Sequence, residues 1–313
     1  RLEKAQEAYK TYLETLFRLS GDKHPADSAK AIYALEIKIA QAHWDKVENR
    51  DPNKIYNPMS LVDLAKKAPG IDWKLYLKTA SYPDVASICV SQPSEVIAVA
   101  KLIQEVPLAT WKKYLAVRTL DAASDALPKA FREASFAFHG KALSGTEQQK
   151  PRWQQATAQL NGALGEAVGQ VYVAKYFPPA YKARMVELVQ NLLKAYGNSI
   201  DNLSWMSPET KLQAKDKLAK YMVKIGYPDN WRDYSKLAIR DGDALGNSLR
   251  AARFEYERQA HRVNDKVDRA EWGMFPQTVN AYYNPSLNEI VFPAAILQPP
   301  FFNMEADDAV RSE

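Results

Sequence analysis

The 313-residue sequence has a single cysteine, Cys89, so no intrachain disulfide can form. A chain this long does not need one, because its core is large enough to hold the fold together. Cys89 lies in the apolar run Val85–Val90, which predicts a buried, inert thiol rather than a nucleophile. The sequence also has no apolar run of the length needed to cross a bilayer. The longest candidate, Ile290 to Phe302, is interrupted by Pro293, Gln298, Pro299 and Pro300, which excludes a spanning helix. No block of five like charges occurs. Acidic and basic residues alternate around a net charge of +5, and this mixture excludes the basic stripe of a nucleic-acid-binding protein. No signal peptide is read: the sequence opens at Arg1 inside a helical pattern, so any targeting segment is expected to have been removed or not included.

Several catalytic patterns are missing as well. The four histidines, His24, His43, His139 and His261, are far apart, and none has a second histidine one helical turn away. The HExxH arrangement, which puts two imidazoles on one helix face for zinc, does not occur, and each histidine reads as structural or solvated. Asp241-Gly242-Asp243-Ala244-Leu245-Gly246-Asn247 lacks the Lys-Ser/Thr pair of a phosphate loop and the remaining ligands of a calcium loop. It reads instead as a loop that caps the next helix. No nucleophile elbow is present, and Cys89 has no evident partner base. Asn202-Leu203-Ser204 has the form of a glycosylation sequon, a triplet that also arises by chance.

What remains is an ordinary globular composition, 46% hydrophobic and 25% charged, arranged mostly in helical periods. Leu2, Ala5, Tyr9, Tyr12, Leu13 and Leu16 define one stripe, and Leu160, Ala163, Leu164, Ala167, Val168 and Val171 a second. Gly162, Gly165 and Gly169 beside the second stripe predict close approach of another helix. A third stripe, Met185 to Leu193, is expected to end at Gly197. Ser207-Pro208-Glu209 is a helix start, with Ala214, Leu218, Tyr221, Met222 and Ile225 as the buried face and a loop from Ile225 to Asn230. A further helix is predicted from about Asn247 to His261. After about Lys266 the pattern changes. Thr278–Tyr283 and Glu289–Phe292 have strand composition around a turn-rich Asn284–Asn288, which predicts a β-hairpin. A strand carrying Asn280 and Ala281 offers a side-chain amide and main-chain groups that can pair with an extended peptide by β-augmentation, although the residues by themselves favour a strand simply packed in a sheet.

The run from Val279 to Phe302, with Asn280-Ala281-Tyr282-Tyr283 at its head, strongly resembles the neprilysin family of zinc metallopeptidases, family M13. So do Asp268–Pro276, Leu203–Met206 with Thr210-Lys211, Lys224–Pro228, Arg152-Trp153 and Tyr172–Pro179. The resemblance implies a mainly α fold: the helical lid domain of a two-lobed metallopeptidase, with a short β-hairpin near the C-terminus. Residues 1–265 would be the lid, and residues 266–313 the truncated start of the thermolysin-like catalytic domain. Asn280 and Ala281 would bind the substrate backbone. Asn303–Val310 resembles the family's approach to HExxH, whereas Arg311-Ser312-Glu313 does not.

The zinc ligands, catalytic glutamate and transition-state histidine of the family have no counterpart in these residues. No catalytic residue, metal ligand or cofactor is therefore assigned to the chain, and zinc belongs to the complete family enzyme. The expectation is a piece of a zinc metalloendopeptidase, inactive alone, whose partners are an oligopeptide substrate and the missing C-terminal catalytic lobe. The alternative is a non-catalytic helical domain that binds peptides or a partner protein. A periplasmic or extracellular location is expected, with a cytoplasmic one as the other possibility. Met274, Phe292, Ile296, Leu297, Phe301 and Phe302 are expected to form an exposed patch where the missing lobe would dock.

Overall fold

The computed structural model describes residues 2–82, 84–303 and 306. Among them the α-helices are α1 (Leu2–Leu19), α2 (Pro25–Ala40), α3 (Leu61–Lys67), α4 (Trp73–Thr79), α5 (Pro93–Glu105), α6 (Leu108–Ala123), α7 (Lys129–Ser135), α8 (Arg152–Tyr176), α9 (Pro179–Asn202), α10 (Pro208–Ala219) and α11 (Ala244–His261). The strands are β1 (Pro58–Ser60), β2 (Ser87–Cys89), β3 (Met222–Gly226), β4 (Tyr282–Asn284) and β5 (Glu289–Pro293). The mainly α reading and the late hairpin are both present. The chain folds into two compact units, Arg1–Pro151 with Ile239–Asn264, and Arg152–Ala238 with Asp265–Glu313.

In the first unit the stripe of α1 does what its spacing predicts. Tyr12, Leu13, Leu16 and Phe17 are buried against Ala29 and Ile32 of α2, Val117 of α6 and Phe138. Phe138 lies in a π-helical segment, Phe136–Leu143, that also carries His139. His139 Nε2 and the Tyr12 hydroxyl both reach Asp121 Oδ1, at 2.9 and 2.6 Å, and tie α1, α6 and the π-helix together. At the turn between α1 and α2, Asp22 pairs with Lys113 at 2.8 Å and accepts from the His24 N–H and the Ser28 hydroxyl. The Lys113 ammonium and these donors hold its carboxyl down at about 2. A second cluster joins Leu64, Ala68, Trp73, Val90 and Ala100 beneath the β1–β2 ribbon. Cys89 is exposed, contrary to the buried thiol expected from its apolar neighbours. Period-two alternation explains this: Ile88 turns to the cluster, so Ser87 and Cys89 turn away. The helix expected from Asn247 begins at Ala244, with Asp243 as its cap accepting from Gly246 N–H at 2.9 Å.

In the second unit the core joins Val173 and Phe177, Met185 and Val189 of α9, Ile225 of β3, and Ala294, Leu297 and Phe302. The expected exposed patch is therefore not there. Leu297 and Phe302 are core residues, Phe292 and Ile296 pack against them, and only Phe301 of the candidate phenylalanines is exposed. Because the sheet folds back on the helices of its own unit, it covers these residues internally. Asn303 and Ala306 apart, the segment 303–313 lies outside the described residues.

Three helix-level expectations also change. Gly197 does not end α9, which runs to Asn202. The added turn packs on α10, Lys215 pairs with Asp201 at 2.5 Å, and these contacts outweigh the roughly 1 kcal/mol penalty of an interior glycine. Ser207 caps α10 as expected, accepting from Thr210 N–H, but the helix stops at Ala219, and Met222–Gly226 becomes strand β3. β-Branched Val223 and Ile225 at alternate positions gain more by pairing with β5 than by continuing an amphipathic helix. On α8 the buried residues are Gly165, Glu166, Gly169 and Val173, while Leu160 and Val171 are exposed. The glycines admit a loop, not a second helix: a Cβ at Gly165 would lie 2.3 Å from the Phe275 ring, and one at Gly169 2.8 Å from Pro276.

The three-stranded sheet has the order β3-β5-β4, with β3 and β5 parallel and β4 and β5 antiparallel. One ion pair is buried in it. Lys224 Nζ lies 2.7 Å from Glu289 Oε2, their side chains are 7% and 2% exposed, and the same ammonium donates to the Glu271 carbonyl at 2.7 Å. Removing one partner strands the other charge in the sheet. Lys224→Met is expected to destabilise the unit by about 3–5 kcal/mol, and Lys224→Met with Glu289→Leu to recover most of that loss, as measured by denaturant unfolding. The lowered carboxyl of Asp22 contributes stability that is complete above its unfolded value near 3.8 and is lost as pH falls toward about 2. Asp22→Asn is expected to flatten that acid limb of a melting-temperature profile between roughly pH 4 and 2 while leaving its shape above pH 5 unchanged.

Candidate peptide-binding edge

The hydrogen bonds of β5 settle which main-chain groups of β4 are used. Asn288 O accepts from Met222 N–H at 2.9 Å, and Ala294 N–H donates to Gly226 O at 2.8 Å. Even-numbered residues of this strand thus turn their peptide groups to β3, and Glu289 and Val291 turn theirs to β4. The register pairs Tyr282 with Val291 and Asn284 with Glu289, so those two residues of β4 exchange bonds with β5. Tyr283, opposite Ile290, turns its N–H and C=O the other way. On that side β4 has no neighbouring strand among the described residues. The result is an open edge with an outward donor and acceptor at Tyr283.

Asn280 and Ala281 stand at the entrance to this edge. The strand expected over Thr278–Tyr283 is shorter than its composition predicts, and both residues precede it. The reason is a tight turn: Thr278 N–H donates to Phe275 O, and Asn280 N–H donates to Thr278 O, which takes these groups out of the ladder. Asn280 is exposed and Ala281 half-buried. Asn280 Oδ1 accepts from Ala281 N–H at 2.8 Å, which fixes the amide and leaves its NH2 as the side chain's available donor.

The turn itself is held from several sides. Phe275 and Pro276 seat on the two glycines of α8. Gln277 Nε2 donates to Asn161 Oδ1 and Gly165 O, at 3.0 and 2.9 Å, and Ala295 N–H donates to Pro276 O. Upstream, Lys224 grips the Glu271 carbonyl, and Gly273 N–H donates to the Tyr282 hydroxyl at 2.9 Å. On the other face of the sheet, the Tyr283 ring stacks on Tyr221, with centroids 6.0 Å apart and planes 14° off parallel. Its hydroxyl donates to Asn288 Oδ1, and Asn288 Nδ2 donates to Lys217 O. Burial first, and then the neighbouring phenols of Tyr283 and Tyr196, raise the Tyr221 hydroxyl above its ordinary value. Tyr283 and Lys224 are the residues sequence reasoning missed; their roles follow from register and from pairing across 65 residues, which periodicity does not carry.

Among the described residues, no group of three or more His, Cys, Asp or Glu side chains is placed to hold a metal ion. Zinc, which the resemblance implies for the family, therefore has no such set of ligands among the described residues. Among the same residues no helix is long and apolar enough to cross a membrane.

Comparison with known proteins gives these features a context. Rat endothelin-converting enzyme-like 1 is 30% identical over 318 aligned residues, covering 96% of this chain and 40% of that protein. Neprilysin-3 of Drosophila melanogaster is 30% identical over 290 residues, covering 86% of this chain and 36% of its own. The zinc metalloprotease Zmp1 of Mycobacterium tuberculosis, solved with an inhibitor, superposes with a TM-score of 0.89 at 40% identity, over 97% of this chain and 47% of that one. PepO of Lactobacillus rhamnosis shares the fold, with a TM-score of 0.86 at 24% identity, over 97% of this chain and 49% of that one. The chain spans less than half the length of each of these proteins. One family model for peptidase family M13 matches residues 1–228, and a second matches residues 280–311, the stretch that holds Asn280 and the open edge. This chain belongs to peptidase family M13.

Proposed function

We propose that these residues supply the helical lid and the substrate-holding edge of a neprilysin-like zinc metalloendopeptidase that cleaves oligopeptides. In this proposal the zinc ligands and the catalytic glutamate come from protein outside the 313 residues, so this chain alone binds peptide without hydrolysing it. Residues 1–265 act as the lid and residues 266–313 as the beginning of the thermolysin-like catalytic domain, onto which the Arg152–Ala238 helices are built. A periplasmic or extracellular location belongs to the same proposal.

The observation that carries it is the open edge of β4. An extended peptide laid along that edge meets the outward N–H and C=O of Tyr283 and gains main-chain hydrogen bonds whatever its sequence. Asn280, just ahead of the strand, adds a side-chain amide that can bond the same backbone, and Ala281 adds its carbonyl. Main-chain recognition of this kind suits a peptidase that accepts many sequences. The held turn at 275–280 supports the reading, because a binding group on a fixed loop loses less entropy when the ligand arrives.

The test uses the purified chain, dilute zinc and two probes, an internally quenched peptide for hydrolysis and a fluorescein-labelled hexapeptide for binding. The expected result is saturable binding, weakened about fivefold by Asn280→Ala, the worth of one hydrogen bond, with no zinc-dependent cleavage. Cleavage by this chain, or binding that ignores Asn280→Ala, would sink the proposal. Binding without cleavage by the complete protein would favour the alternative, a non-catalytic peptide- or partner-binding domain.

A further inference from the structure

We propose that Gln277 is a positioning residue for peptide binding: its side-chain amide spans a break in α8 and so sets where Asn280 stands. The proposal rests on the reading that Asn280 bonds the peptide backbone, and it deepens that reading by naming the side chain that holds Asn280 in place.

α8 is not one continuous helix. Leu164, at φ −133° and ψ 35°, leaves helical geometry and divides α8 into an N-terminal half that carries Asn161 and a C-terminal half that begins at Gly165. A break of this kind takes backbone groups out of the helical ladder, and such groups need other partners. Tyr234 supplies one: its hydroxyl accepts from Glu166 N–H at 3.3 Å. The Glu166 carboxylate in turn accepts from Arg232 N–H at 2.8 Å and pairs with the Arg232 guanidinium at 3.2 Å. Gln277 supplies another. Its Nε2 donates to Gly165 O at 2.9 Å, on the C-terminal half, and to Asn161 Oδ1 at 3.0 Å, on the N-terminal half. Phe275 and Pro276 seat on Gly165 and Gly169, which both belong to the C-terminal half. Gln277 therefore ties the turn to both halves.

The orientation of that amide is dictated. Gly165 O can only accept, so Nε2 must face it, and Oε1 is left buried over Gly169 with no hydrogen-bond partner among the described residues. A buried acceptor without a partner is unfavourable, and an apolar side chain would fill the same place without that penalty. What the amide secures in exchange is the two bonds of Nε2. From Gln277 the chain reaches Asn280 through two tight turns, closed by Thr278 N–H on Phe275 O and by Asn280 N–H on Thr278 O. The next tie to the sheet is Tyr282, paired with Val291, and Val279 between them is exposed. The span that carries Asn280 and Ala281 is thus anchored by Gln277 at one end and by Tyr282 at the other. If the first anchor pivots, the Asn280 amide moves with it, and a displacement of roughly 1 Å takes a hydrogen bond of ordinary length out of range.

The experiment is a double-mutant cycle on the full chain, read as the affinity for a fluorescein-labelled hexapeptide by anisotropy. Gln277→Met keeps the bulk of the side chain and removes both donors. It is expected to weaken binding about three- to fivefold, the worth of the one peptide hydrogen bond that Asn280 makes. Gln277→Met combined with Asn280→Ala is expected to bind no more weakly than Asn280→Ala alone, because Gln277 acts through Asn280; a merely structural role would not produce this non-additivity. Asn161→Asp, which keeps an acceptor on the N-terminal half, is expected to bind as wild type does. Should Gln277→Met lose its cooperative melting transition, Asn161→Leu, which removes one of the two bonds, carries the same cycle. Wild-type affinity in a folded Gln277→Met chain, or a weakening that adds in full to that of Asn280→Ala, would overturn the positioning role and leave the binding edge standing. No binding of any peptide to folded wild-type chain would overturn both.

Discussion

Much of the second unit hangs on one buried ammonium. Lys224 enters the sheet on β3, meets the carboxylate that opens β5 and takes the carbonyl of Glu271, so a single charge joins three segments far apart in sequence. Without it, Glu289 would face a sheet interior closed by Val291 and Pro293. With it, the start of β5 is fixed, and the register of β4 follows from β5 through Tyr282 and Asn284. The segment that Lys224 grips then runs through Gly273, Phe275 and Pro276 to Asn280, each step tied to the sheet or to α8. The ion pair thus ties the start of β5 both to β3 and to the segment that leads to the proposed binding edge.

The glycines of α8 show the same dependence from the other side. A helix with Cβ atoms at 165 and 169 could not seat Phe275 and Pro276 at these distances. The turn would then sit further out, and the bonds from Gln277 to Asn161 and Gly165 would lengthen. Two small residues one turn apart accept a loop here for the reason they accept a neighbouring helix elsewhere: they lower the surface of α8 locally so that another backbone can come close.

How much of this was legible depends on the range of the interactions. Local rules did well. The stripe of α1, the Ser207 cap, the capping loop before α11 and the turn between β4 and β5 are all written in residues a few positions apart. Rules that need a partner did less well. Met222 and Ile225 fit a helical stripe equally well until β5 is known to lie beside them, and the spacing of Gly165 and Gly169 says that something approaches closely without saying what. Cys89 was misplaced because an apolar run hides which face each residue takes in a two-strand ribbon. For the candidate site, Asn280 and Ala281 came from the family resemblance. The edge beside them came only from the parity of hydrogen bonds along β5, a property of the pairing and not of either strand.

The most direct test of that edge is amide hydrogen exchange at single-residue resolution, with and without a saturating extended hexapeptide. Tyr282 and Asn284 already donate to β5, so their exchange should be slow in both states, whereas Tyr283 should exchange fast in the free chain and become protected when peptide is bound. Protection of Tyr283 already present in the free chain, or no change there on binding, would contradict an open edge that receives peptide.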